Sequence, residues 1–86
     1  MYGYINNIND LNYGYYIRWI NLKNYKDLKL TNGGFVCDIK ISNGIEILCR
    51  NNLNILFQLK FDENLIFQKL TNQELVILNI LKEINK

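Results

Sequence analysis

Histidine, alanine and proline are absent from this 86-residue sequence, and serine occurs once, at Ser42. Without histidine the chain lacks the commonest general base and metal ligand, which narrows the catalysis open to it. Cys37 and Cys49 are the two cysteines, and no Cys-x-x-Cys is present. No zinc site or other cofactor is expected. No run of 18 apolar residues exists, and Met1 to Asp10 shows no basic region followed by an apolar stretch. Neither a membrane span nor a signal peptide is expected, which points to a cytoplasmic, reducing location. Ten Lys and Arg face eight Asp and Glu, a formal charge of +2, without runs of either sign. Such a balance lacks the electrostatic footprint of duplex binding.

Asparagine occurs 15 times, isoleucine 13 and leucine 13. That skew is what an AT-rich coding sequence yields, and it suggests a viral or mobile-element accessory protein. It also means that the asparagine count is not a functional signal. Hydrophobic residues make up 49% of the chain, enough for one small folded domain and opposite to the composition of a disordered one.

Residues 1–12 read as an N-terminal arm or a short edge strand, and residues 13–22 as an aromatic and β-branched strand with two apolar faces. Residues 21–32 form a long connection that Gly33 and Gly34 end. For Ser42-Asn43-Gly44, a two-residue loop would mix the faces of the flanking strands. A three-residue loop with Gly44 left-handed pairs Ile41 with Ile45, Ile39 with Ile47, Cys37 with Cys49 and Lys40 with Glu46. Asp62-Glu63-Asn64 reads as a similar loop with Asn64 left-handed, pairing Phe61 with Leu65 and Leu59 with Phe67. An odd-length loop at Asn51-Asn52-Leu53 sets Ile47 opposite Phe57 and Cys49 opposite Ile55.

A meander over residues 35–41, 45–50, 54–61 and 65–70 follows. Its inner face would carry Phe35, Cys37, Ile39, Ile41, Ile45, Ile47, Cys49, Ile55, Phe57, Leu59, Phe61, Leu65 and Phe67. Thr71-Asn72-Gln73-Glu74 is a capping box before an apolar run, flanked by the Leu70 and Leu75 staple, so a helix starts there and runs close to the C-terminus. Its apolar residues span an arc of roughly 200°, wider than packing on a sheet requires. The extra width suits the N-terminal arm or a second subunit. The expected fold is therefore α+β, an antiparallel meander of four to six strands with a single C-terminal helix packed on one face. One domain is expected: arm 1–12, sheet 13–70 and helix 71–86.

Candidate sites are few. Cys37 and Cys49 read as small buried thiols rather than a disulfide. Residues Thr31 to Phe35 lack the Lys-Ser/Thr of a phosphate loop. Asp62 and Glu63 read as turn residues and Asp38 as part of a solvated face, not as paired catalytic carboxylates. On the outer face, Leu48, Leu56 and Leu70 align as an apolar row across polar neighbours. This row would lie under the strand at 13–22 or bind a partner. Tyr13, Tyr15, Tyr16, Arg18, Trp19 and Lys23 form the one aromatic and basic cluster, of the kind that binds single-stranded nucleic acid. The favoured expectation is a non-enzymatic protein-interaction module that binds or inhibits a host protein, with a homodimer through the helix as a candidate. Single-stranded nucleic-acid binding is the alternative.

Overall fold

In a computed structural model describing residues 1–85, the chain forms one six-stranded antiparallel sheet followed by a helix. Strands β1 (Tyr2–Ile5), β2 (Tyr16–Asn21), β3 (Gly34–Ser42), β4 (Gly44–Arg50), β5 (Leu56–Lys60) and β6 (Asn64–Lys69) precede helix α1 (Asn72–Ile84). Their order across the sheet is β1-β6-β2-β3-β4-β5. The architecture is α+β, and β2 to β5 run as a meander. The N-terminal segment supplies two strands, with β1 at the sheet edge.

The β3–β4 hairpin keeps the rungs expected near its turn, Ile41 with Ile45, Lys40 with Glu46 and Ile39 with Ile47. Gly44 takes φ 121°, a backbone state that glycine adopts without the steric cost of a Cβ. Further along, a bulge between Val36 and Asp38 shifts the register, so Val36 rather than Cys37 faces Cys49. Because side chains alternate, one extra residue sends every residue before it to the opposite face. Val36 and Cys49 are buried, whereas Cys37 and Phe35 are exposed. The expected Cys37–Cys49 rung is thus replaced.

The next turn differs in length. Asn51 Oδ1 accepts from the Leu53 and Ile55 amides at 2.9 and 3.0 Å, and Asn54 adopts φ 65°. An Asx-type loop over residues 51–55 results, two residues longer than expected. Ile47 therefore pairs with Leu59 and Cys49 with Phe57. A two-residue slip preserves the face, so Phe57 and Leu59 still point inward while Ile55 is exposed.

The expected hairpin between β5 and β6 does not form. Phe61–Glu63 make a 3-10 turn, and Asn64 is extended at φ −137° rather than left-handed. β6 then lies between β1 and β2, with Trp19 opposite Ile66 and Tyr4 opposite Phe67. Leu65, Ile66 and Phe67 are all apolar, so alternation alone does not decide which of them is buried. Pairing with β2 turns Ile66 and Gln68 inward, in place of Leu65 and Phe67. Gln68, expected on the polar face, is only 3% exposed. Its Oε1 accepts from the Asn12 amide at 2.8 Å and its Nε2 donates to the Asp10 carbonyl at 3.3 Å, which ties down the N-terminal loop.

Ile5, Leu11, Ile17, Val36, Ile47, Cys49, Leu59 and Ile66 form the core. Trp19 of β2 meets Phe57 of β5, two strands removed across β3 and β4, with ring centroids 5.2 Å apart. The sheet therefore curls until its own strands cover its concave side. The C-terminal helix follows the sheet as expected; none of its residues is fully buried, and Glu74, Leu75 and Leu78 are half-buried.

Gly33 is buried where β2 and β3 approach, and its amide donates to the Tyr16 hydroxyl at 3.0 Å. A Cβ there would collide with the Tyr16 ring and the Ile17 carbonyl. Gly33→Ala is expected to destabilise the fold by about 1–3 kcal/mol, the range for overpacking. Chemical denaturation followed by Trp19 fluorescence measures this, and an unchanged midpoint would contradict the close approach.

Candidate functional site

Thr71 and Glu74 make both halves of the expected capping box. The Thr71 hydroxyl accepts from the Glu74 amide at 3.1 Å, and the Glu74 carboxylate accepts from the Thr71 amide at 3.0 Å. These bonds satisfy amides that the first helical turn leaves open. They also hold the Glu74 carboxyl below its ordinary value of 4.5, the Thr71 amide being the largest cause. The helix so started is only 13 residues long.

Isolated helices of that length are marginal in water, and most take their stability from tertiary packing of one face. In α1, Val76, Ile77, Ile80, Leu81 and Ile84 are instead between 48% and 71% exposed. Leu75 and Leu78 are half-buried on another side. Leu70 continues the apolar surface past the start of the helix, and with Glu74, Ile77, Leu78 and Leu81 it lines a shallow groove of about 270 Å³.

The apolar row anticipated on the outer face is divided. Leu48 lies opposite Asp38 and Gln58, and Leu56 opposite Arg50, making the two leucines diagonal neighbours on β4 and β5. Leu70, after β6, is separated from them by β2 and β3. The segment expected to cover the row is itself part of the sheet, as β2, and Leu56 remains 53% exposed.

The aromatic and basic cluster is also dispersed. Trp19 points inward to Phe57, Tyr13 is exposed in the loop before β2, and Lys23 pairs with Glu63 at 3.0 Å. Arg18 Nε donates to the Thr31 carbonyl at 2.7 Å on the outer face. Tyr15 and Tyr16 remain together, lining a cleft of about 600 Å³ with Tyr2, Phe35 and Lys69. Tyr2, Phe35 and Lys69 were not anticipated as site residues. A sign of the bulge would have revealed Phe35, and the pairing of β6 with β1 brings Tyr2 and Lys69 to the cleft.

The two cysteines have different environments. Cys37 is exposed and Cys49 buried, both as free thiols. Burial, with a smaller effect from Cys37, pushes the Cys49 thiol up to about 12. No cluster of three or more His, Cys, Asp or Glu suited to a metal ion occurs among the described residues. Among the same residues, no helix is long and apolar enough to cross a membrane. No family model matches the chain, and neither a curated protein nor a solved structure shows significant similarity to it.

Two outcomes follow from this chemistry. Iodoacetamide at neutral pH is expected to modify Cys37 in the native protein and Cys49 only after unfolding, because thiolate is the reactive form. Equal rates, read by mass spectrometry, would contradict the bulge. For Glu74 the folded pKa lies below the unfolded value, so its contribution to the cap is present above about pH 4.5 and is lost as pH falls through the lower folded value. Acidification should fray Asn72 to Leu75 in amide-exchange measurements. Glu74→Gln should remove that pH dependence while keeping the cap, and an acid response that survives the substitution would point to another group.

Proposed function

We propose that this chain is a non-enzymatic protein-interaction module that docks through α1. The observation supporting this is a capped helix with five large aliphatic side chains uncovered and no buried residue. Apolar surface of that kind, together with Leu70, is what an interface core is built from. The exposed stripe holds no charge, so the same stripe on a second copy complements it without any need for opposite charges. Such a surface suits the isologous contact of a two-fold dimer. A reading in which the module acts against a host protein has the AT-rich composition as its support.

Magnitudes set the expected strength of pairing. Completing the burial of a half-exposed Val, Ile or Leu contributes roughly 1 kcal/mol, half of the full transfer value. Ten such side chains from two copies contribute roughly 10 kcal/mol, of the same order as the 4–15 kcal/mol cost of association. The dimer is therefore expected to be weak and concentration-dependent.

Sedimentation velocity from micromolar to millimolar protein tests this reading. The native chain should shift from monomer toward dimer, while an Ile77→Asp, Leu81→Asp double variant should stay monomeric with the near-ultraviolet signal of Trp19 unchanged. A native chain that remains monomeric throughout would overturn the self-association.

A further inference from the structure

The outer face of the sheet carries a second surface, built from strand residues and reaching the start of α1 at Asn72. Strand register places Tyr2 opposite Lys69, Tyr16 opposite Phe35, and Phe35 opposite Arg50. Ile17 lies opposite Gln68, so Tyr16 and Lys69 are neighbours, and both line the same cleft. One row across five strands thus reads Tyr2, Lys69, Tyr16, Phe35, Arg50. The adjacent row is Tyr4, Phe67, Arg18. At about 4.8 Å per strand the longer row spans about 19 Å.

These rings are not closing the core, which lies on the other face. Tyr4 is 55% and Phe35 43% exposed, and Lys69 and Arg50 are exposed beside them. Tyr16 and Phe35 meet edge to face at 5.0 Å, and Tyr4 and Phe67 pack at 5.7 Å, so the platform is held in place before any ligand arrives. The hydrogen bond from the Gly33 amide fixes Tyr16 further. Among the described residues, no carboxylate pairs with Arg18, Arg50 or Lys69; the ion pairs are Lys23–Glu63 and Lys29–Asp27. The sheet's other cationic rung has a carboxylate within it, since Lys40 and Lys60 lie on either side of Glu46.

We infer that this outer face binds single-stranded nucleic acid, with bases stacking on Tyr2, Tyr4, Phe35 and Phe67 and phosphates meeting Lys69, Arg50 and Arg18. Flat rings interleaved with cations that no carboxylate pairs match the chemistry of a strand whose bases are exposed. A duplex hides its base faces and needs a more basic surface than a chain of net charge +2 offers. The length of the row favours a strand over a free mononucleotide. In this arrangement the cluster read from residues 13–23 contributes Tyr16 and Arg18, and the other residues come from β1, β3, β4 and β6.

Fluorescence anisotropy with a labelled single-stranded oligonucleotide tests the inference, alongside its duplex and a mononucleotide as competitors. Single strands should bind with a salt slope of about −2, from three cations at about −0.7 each. Phe35→Ala should weaken binding by at least about fivefold, the low end for loss of one stacked base. Arg50→Gln with Lys69→Gln, both at exposed positions, should weaken binding and reduce the slope to about −0.7. Lys40→Gln with Lys60→Gln, which removes the same charge at the other rung, should leave affinity within about twofold. Absence of binding, equal loss in both lysine-containing pairs, or equal competition by the duplex would overturn the proposal. Competition by polyglutamate equal to that of the oligonucleotide would assign the face to an acidic protein segment and overturn it too.

Discussion

Side chains on a strand alternate between two faces, and in this protein one residue at Cys37 decides which residues belong to which. The bulge brings Val36 over Cys49, completing the core beside Ile47 and Ile17, and turns Phe35 outward. Had the ladder continued unbroken, Phe35 would compete for interior space and Cys37 would be buried. Instead the fully buried positions of the concave side are aliphatic residues and Cys49, packed against Trp19 and Phe57, and Phe35 joins Tyr4, Tyr16 and Phe67 on the convex side. The burial of Val36 and the place of Phe35 on the candidate platform are two consequences of the same extra residue.

Curling of the sheet has a further effect on the helix. Trp19 and Phe57 meet across the concave side, so the sheet supplies part of its own cover, and α1 has no fully buried residue. A capped, amphipathic helix in that position is held mainly by its first turn and by the half-buried Leu75 and Leu78, the latter sharing a groove with Leu70. Its remaining apolar residues are available to another molecule. The two proposed surfaces differ in chemistry, one mainly aliphatic on α1 and the other aromatic and cationic on the strands, and they meet at Leu70.

Gln68 shows how the two ends of the chain are joined. Its buried amide accepts from Asn12 and donates to the Asp10 carbonyl, satisfying backbone groups of the N-terminal loop from β6. Removing either partner would leave polar groups unpaired away from water. This single side chain therefore couples the position of the N-terminal loop to that of the strand leading into α1.

Local chemistry was legible in the sequence where the relevant groups are close along the chain. The Ser42–Gly44 turn, its three rungs and the Thr71–Glu74 box depend on residues within a few positions of one another, and each could be read from glycine conformation, charge pairing or capping geometry. The α+β class followed from the same signals. Tertiary structure alone decided the partner of β6, the bulge at Cys37 and the uncovered state of α1. Leu65-Ile66-Phe67 offers apolar residues to either face, and an alternating ladder carries no mark of an inserted residue. Both ambiguities are resolved only when distant strands compete for one core of finite volume. The cleft around Tyr2, Tyr16, Phe35 and Lys69 draws on four strands far apart in the chain, which is why its residues could not be assembled from the sequence.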